Sequence, residues 1–273
     1  MRKTLTLFVV LALLAFTACE KEKIESPGNI PGMGYTEGEL SVDAFELPEG
    51  IELVGTITGL EETTTAAISK DDLSLKSTFA NEAVQTNSNY GSGGQFVKLK
   101  CQLRNRTNQQ RTMFFPKGLV CKVKQEGYQS GILLQWAWVS LKPNEERTFI
   151  LHLYCINKGK SNSDAQSEFE IHGITNSNTM WKLLNLIGWG KINWEHFNSV
   201  STSTSSLKET SLSYDEIASG LQDAVWALTN GDGLTEDQIE FINAIPQLDE
   251  TELPSDLLNN TIDPLKYYPE YGE

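Results

Sequence analysis

The sequence predicts a mainly β protein with some α structure: a β-sandwich or barrel followed by a small helical layer. Between residues 96 and 156, short stretches alternate apolar and polar residues and are separated by turn-forming residues. From residue 179 onward the spacing of apolar residues changes from that of strands to that of helices. A hydrophobic share of 39% with 9% aromatic residues is typical of a chain that folds around a core.

The first residues resemble a bacterial export signal. Met1, Arg2 and Lys3 form a short basic start, and the apolar run that follows is too short to span a membrane. Small residues precede Cys19, and this arrangement resembles a bacterial lipobox. The resemblance implies a signal peptide over residues 1–18 and acylation of Cys19, for example with palmitate, which would place the protein on the bacterial outer membrane or cell surface. An ordinary signal peptide with a chance cysteine is the alternative.

The remaining chain divides by composition. Residues 19–35 combine mixed charge with Pro and Gly, so we expect a lipidated flexible tether. We expect the β part at 36–176, a helical part packed on it at 177–250, and a C-terminal tail at 251–273. The formal net charge of −14 argues against nucleic acid as a partner and against anionic lipid.

The β pattern develops gradually along the chain. Weak strand signals occur at 44–47 and 51–57, before a Gly- and Asn-rich loop at 87–94. Clearer strands are predicted at 96–103, 112–115, 119–124, 132–139 and 149–155, and a weaker strand signal follows at 168–172. In the strand that ends at Cys155, alternation places Phe149, Leu151, Leu153 and Cys155 toward the core, while His152 and Tyr154 point the other way.

The helical part has clear start signals. Apolar spacing predicts a helix at 179–187, and a Ser/Thr-rich linker follows at 199–206. Ser213 and Glu216 form a capping box at the start of a longer helix, in which Gln222 lies at the border of the apolar stripe. Thr235 and Gln238 cap a second helix, whose apolar side carries Ile239, Ile242 and Ile245.

The cysteine count is odd for an exported protein, because Cys101, Cys121 and Cys155 remain once Cys19 is set aside. An odd thiol suggests one free or specially employed cysteine. One interpretation pairs Cys101 with Cys121 in a disulfide; the other leaves all three reduced and buried. No metal site or cofactor is predicted, because there is no Cys-x-x-Cys motif and the three histidines are scattered.

Two short motifs resemble those of bacterial surface thioester domains: Tyr154-Cys155-Ile156-Asn157 and Leu221-Gln222-Asp223-Ala224-Val225-Trp226. The resemblance covers residues 95–248. It implies that Cys155 and Gln222 lose ammonia to form an internal thioester, with Tyr154 and Trp226 as pocket walls. It further implies covalent adhesion to an amine-bearing host or matrix ligand. Such capture occurs once per molecule, so the protein is not expected to be an enzyme.

A second function stays open: a non-catalytic β-sandwich interaction module that binds protein or glycan through Trp136, Trp138 or the helical layer. A Cys–His hydrolase is disfavoured, because His152 points away from Cys155 and the other histidines lie outside any motif. No Walker, Rossmann or nucleophile-elbow motif occurs, so nucleotide binding and α/β-hydrolase chemistry have no support.

Overall fold

A computed structural model describes residues 25–60, 89–93, 96–198 and 212–254 of the chain. The predicted signal peptide, the lipidation site Cys19, the linker at 199–206 and the tail beyond residue 254 lie outside these residues. In the described ranges no helix is both long enough and apolar enough to cross a membrane.

The described residues form a mainly β structure with a few helices, which confirms the predicted fold class. The strands are β1 (Val42–Asp43), β2 (Ile51–Leu53), β3 (Ile57–Gly59), β4 (Asn89–Gly91), β5 (Val97–Asn105), β6 (Arg111–Phe115), β7 (Leu119–Val123), β8 (Gly131–Ile132), β9 (Ala137–Leu141), β10 (Glu146–Cys155) and β11 (Glu168–Thr175). The helices are α1 (Asn178–Ile187), α2 (Trp194–Asn198), α3 (Tyr214–Thr229) and α4 (Glu236–Asn243), and a 3₁₀ turn follows at Glu250–Glu252.

Six strands close into a barrel in the order β5, β3, β11, β7, β8 and β10, and β10 pairs back to β5. The β5–β10 seam runs from Glu146 opposite Arg104 to Leu153 opposite Val97. Closure pairs strand edges that would otherwise be exposed. Of the two architectures that the sequence allowed, the structure has the barrel.

The barrel interior follows the predicted alternation. On β5, Val97, Leu99, Cys101 and Leu103 are buried while the residues between them are more exposed. Phe149 and Leu151 of β10 lie opposite Cys101 and Leu99, so the two strands contribute facing apolar residues to one core. The cross-strand pairs of this seam therefore fix its register, because a one-residue slip would turn these side chains outward.

Two predicted strands are interrupted in the structure. The stretch at 51–57 is divided into β2 and β3 by Gly55, which has a positive φ of 69°. The stretch at 132–139 is divided because β8 belongs to the barrel, whereas β9 pairs with β6 in a separate two-stranded sheet. The weak signal at 44–47 is not a strand; β1 lies just before it.

The two tryptophans around the start of β9, which the sequence offered as binding residues, differ in exposure. Trp136 is only 1% exposed and packs with Phe114 in a small cluster outside the main core. Trp138 is partly buried at the edge of the same cluster. Trp136 is thus a packing residue rather than a ligand contact.

The predicted Cys101–Cys121 disulfide is absent from the structure. Both thiols are free and buried, on strands β5 and β7, and β3 and β11 separate these strands in the barrel order. Burial raises the pKa of Cys121 to about 12 and raises that of Cys101 well above its ordinary value. The two cysteines therefore pack as small apolar residues, the other interpretation of the sequence.

Local signals set the helix starts as predicted. Ser213 Oγ accepts from the backbone N–H of Glu216, and the Glu216 carboxylate accepts from the N–H of Ser213 at 2.8 Å. Thr235 and Gln238 form the same reciprocal pair at the start of α4. Ile239 is 37% exposed, so only Ile242 and Ile245 carry the apolar side that the sequence assigned to all three.

Residues 25–40, here named the strap, pack against the body. Ile30 and Met33 are buried in the main core. The N–H of Gly28 donates to the Leu228 carbonyl at 2.8 Å, and that of Gly34 donates to the Ile156 carbonyl at 2.7 Å. The prediction of a flexible tether was therefore wrong for residues 25–35, because two buried apolar side chains and close backbone contacts hold this polar, Gly-rich segment in place.

The packing of the strap predicts that two glycine substitutions differ in how much they lower the stability of the fold. Gly34 and Gly55 both have a positive φ, of 60° and 69°, which costs a non-glycine residue roughly 1–2 kcal/mol. A Cβ at Gly34 would also overlap the carbonyl oxygen of Thr229, whereas at Gly55 it would meet nothing within 4 Å. Gly34→Ala should thus lower the unfolding free energy in urea by clearly more than Gly55→Ala. Equal losses would show that the strap is not tightly docked.

Candidate functional site

The structure brings together the two residues that the motifs single out. The side-chain oxygen Oε1 of Gln222 accepts the backbone N–H of Cys155 at 2.8 Å. The side-chain nitrogen Nε2 of Gln222 donates to the backbone carbonyl of Cys155 at 2.9 Å. Cys155 is 0% and Gln222 2% exposed, so this reciprocal pair is enclosed by protein.

The end of a strand pairing explains why the contact forms. The β5 pairing with β10 stops at Leu153, while β8 continues on the other side, where Ile156 N–H donates to the Ser130 carbonyl. Alternate residues of a strand direct their hydrogen-bonding groups to the same side, so those of Cys155 face the side that β5 has left. Leaving them buried and unpaired would cost free energy. The Gln222 amide supplies both partners that a neighbouring strand would have supplied.

Helix α3 positions the glutamine. Leu221 and Val225 are fully buried beside it and hold this face of the helix on the barrel. The sequence placed Gln222 at the border of the apolar stripe, which suggested partial exposure. It is buried because its amide is fully satisfied by the main chain of Cys155.

Three groups act on the sulfur of Cys155. The backbone N–H of Asn157 approaches Sγ at 3.4 Å, the indole N–H of Trp226 lies close to it, and Lys160 adds positive charge nearby. Burial raises the pKa of the Cys155 thiol, and these three groups oppose that rise. The Trp226 N–H is buried and has no hydrogen bond of regular geometry within the described ranges, which leaves it available to the sulfur.

Trp226 is half-buried and lies beside the sulfur. Its ring packs edge-on with Phe96 at 5.0 Å between ring centres. The ammonium of the exposed residue Lys158 lies 4.9 Å from the centre of the Trp226 ring. The ring therefore carries a cation on its face while its N–H edge is near Sγ.

Tyr154, the other predicted pocket wall, lies on the opposite side of β10 from Cys155. It is fully buried near Ser92 and Tyr214, and burial raises its pKa. Adjacent strand residues point to opposite faces, so Tyr154 cannot line the sulfur side. Of the two predicted walls, the structure places only Trp226 beside the thiol.

Behind β10, helix α2 covers the face that carries His152 and Tyr154. The His152 ring stacks on Trp194 at 5.8 Å, and its Nε2 pairs with Asn89 Oδ1 at 2.9 Å. Desolvation, with a contribution from Lys98, lowers the pKa of His152 to about 4. His152 is therefore neutral at physiological pH, and its partners lie away from Cys155, so it is not positioned as a base for that thiol.

Sequence reasoning missed Glu195, the most perturbed carboxyl group of this rear face. It accepts the backbone N–H of Gly91 at 2.9 Å and the Asn193 side-chain amide at 3.0 Å. Desolvation raises its pKa to about 8 despite these hydrogen bonds. A lone Glu in a short helix belongs to no motif, so only the packing of α2 against β4 reveals it.

A polar cleft of about 550 Å³ adjoins the site beneath the strap. Its lining includes Tyr35, Glu39, Lys122, Asn157 and Lys160. Asn157, whose backbone N–H approaches Sγ, and Lys160, whose charge acts on the thiol, both line this cleft. Nowhere in the described part of the chain do three His, Cys, Asp or Glu residues converge to hold a metal ion.

Neither a protein-family model, nor a curated protein, nor a solved structure matches this chain. The function therefore has to be inferred from the geometry of the site.

The perturbed pKa of Glu195 predicts a pH dependence of stability. The pKa is about 8 in the folded protein and 4.5 ordinarily, so folding favours the protonated carboxyl group. Its contribution to stability is therefore greatest below pH 4.5 and is lost as the pH rises through 8. Urea denaturation between these values should show Glu195→Gln gaining stability relative to wild type with rising pH. Glu46→Gln, at an exposed position, controls for the lost charge, and a pH-independent difference for Glu195→Gln would contradict the prediction.

Proposed function

We propose that this protein is a lipid-anchored cell-surface protein that adheres covalently to amine-bearing host or matrix ligands through a Cys155–Gln222 thioester. The observation that carries the proposal is the reciprocal hydrogen bonding between the Gln222 amide and the main chain of Cys155, at 2.8 and 2.9 Å. It holds the amide to be attacked against the residue that would attack it. The lipid anchor rests on the sequence around Cys19.

Bond formation would follow simple acyl transfer. The Cys155 sulfur attacks the Gln222 amide carbon, the Sγ–Cδ bond forms, and the bond from Cδ to Nε2 breaks. The thiol proton leaves with the nitrogen, so one ammonia is released and no oxidant or cofactor is required. Holding both groups in one buried site replaces a bimolecular encounter with an intramolecular step.

The hydrogen bonds support this chemistry electrostatically. Negative charge develops on Gln222 Oε1 during the attack, and the Cys155 N–H already donates to that oxygen at 2.8 Å. On the sulfur side, the Asn157 N–H and the charge of Lys160 favour the thiolate that attack requires. The main chain of Cys155 thus polarises the acyl group of Gln222, while other groups stabilise negative charge on the Cys155 sulfur.

Ligand capture would reverse the bonding at sulfur. A neutral primary amine attacks the acyl carbon, a C–N bond forms, the C–S bond breaks, and the amine proton passes to the sulfur. The product is an amide on Gln222 with a free Cys155 thiol. Complete burial of Cys155 protects the thioester from hydrolysis.

Intact mass spectrometry tests the proposal. Wild-type protein should be lighter than its sequence by one ammonia. Methylamine should then add its whole mass to this lighter protein, so that the product is heavier than the sequence by one methylene group. Cys155→Ala and Gln222→Glu should both abolish the deficit, since neither can release ammonia from the pair. Cys121→Ala, a matched buried thiol elsewhere in the barrel, should keep it. If the wild-type protein has its full sequence mass and does not react with methylamine, the thioester proposal is wrong. The non-catalytic interaction module is then the remaining function.

Thioester closure should also depend on pH. Opening the bond with ammonia restores Gln222 and the free thiol, and transfer to ammonia-free buffer lets the bond re-form. Because burial raises the pKa of Cys155 above its ordinary value of 9.0, thiolate is scarce at neutral pH. The closure rate should rise about tenfold per pH unit and continue to rise as far as pH 9, as followed by mass. A pH-independent rate would exclude thiolate attack.

A further inference from the structure

We propose that the face of the Trp226 ring is the seat for the ammonium group of an incoming amine, and that Lys158 occupies this seat in the resting protein. The inference rests on the proposed function and adds a determinant of ligand choice. It assigns Trp226 a role in selecting cationic amines over uncharged nucleophiles. It also assigns Lys158 the role of an intramolecular competitor.

Trp226 lies beside the reactive pair and is itself only half-buried. It follows Gln222 by four residues on α3, and residues at this spacing lie on the same helix face. Its N–H edge lies close to the Cys155 sulfur, while its ring face carries the Lys158 ammonium at 4.9 Å. One side chain therefore contacts both the sulfur of the pair and a primary ammonium.

The face of the Trp226 ring is chemically suited to bind a cation. An indole is the best aromatic partner for an ammonium, and an exposed contact of this kind contributes roughly 0.5–1 kcal/mol. Phe96 packs against Trp226 and limits the rotation of the Trp226 ring. A lysine of a ligand protein carries the same ammonium on the same four-carbon chain as Lys158, so the ring can accept either one.

Lys158 is held weakly enough to be displaced. It is exposed, and within the described residues it forms no ion pair that would anchor it away from solvent. Its contact with Trp226 therefore contributes little more than a cation–π interaction. Exchange with an incoming ammonium replaces one such contact by another, after which the bound amine loses a proton to water and attacks the acyl carbon.

The test compares two nucleophiles on the purified protein. Methylamine is cationic near neutral pH and hydroxylamine is largely uncharged, and the rate of thioester opening by each is followed by intact mass. Lys158→Ala should accelerate opening by methylamine about two- to fivefold, because the competitor is gone. Opening by hydroxylamine should be unchanged. Lys158→Arg, which keeps a cation on the ring, should behave like wild type.

Two further variants separate the seat from general charge effects. Lys160→Ala removes a nearby charge that is not on the ring, so it should change both rates in the same proportion. Trp226→Leu should lower the ratio of methylamine to hydroxylamine rates, measured on the fraction of the protein that carries the mass deficit.

Each remaining outcome is decisive. Equal effects of Lys158→Ala on both nucleophiles, or slower opening by methylamine, would overturn the seat while the mass deficit upholds the proposed function. Absence of the deficit in wild type would overturn the proposed function itself, and the seat with it. The Lys158 variants keep the test valid if Trp226→Leu does not fold.

Discussion

The hydrogen-bonding groups of Cys155 are the constraint on which the placement of α3 depends. The β5–β10 seam ends two residues before Cys155, so the barrel itself provides no strand partner for the N–H and carbonyl of this buried residue. Two buried, unpaired backbone groups would cost several kcal/mol together. The Gln222 amide satisfies both. Since an amide must lie in one orientation to accept and donate at once, this contact sets the rotation and height of α3 on the barrel.

The strap holds the same two elements from outside. It bonds to Leu228 near the end of α3 and to Ile156 just beyond β10, and the Asn157 side chain donates to the Gly32 carbonyl at 3.3 Å. One segment thus connects the helix that carries Gln222 with the chain that follows Cys155. Small rotations of α3 that would separate the Gln222 amide from Cys155 also stretch the strap contacts. The geometry of the Cys155–Gln222 pair therefore depends on three segments that are distant in sequence: the strap, the end of β10 and α3.

The local features of this arrangement could be predicted from the sequence. Strand alternation around Cys101 and the capping box at Ser213 depend on residues a few positions apart, and both could be predicted. Barrel closure depends on the register between β5 and β10, which no local pattern encodes. The strap was missed because its composition is that of a linker, although Ile30 and Met33 are enough to dock it. Cysteine parity suggested a disulfide for Cys101, but its thiol is free and buried in the structure. Cys155 and Gln222 could be paired only through motifs, since they lie on different elements 67 residues apart.

Docking of α3 and acyl chemistry make different demands on the site, and the surroundings of the sulfur distinguish them. A glutamine that only docks a helix needs the N–H and carbonyl of Cys155, and any small residue at that position would supply them. Docking places no requirement on the side chain of Cys155. Burial has the largest effect on the Cys155 thiol and raises its pKa, yet the Asn157 N–H, the Trp226 indole and the charge of Lys160 all act on Sγ in the opposite direction. A cysteine that only fills space gains nothing from donors and a cation at its sulfur. This concentration of thiolate-stabilising groups on the residue already held against an amide favours the reactive pair over a purely structural contact.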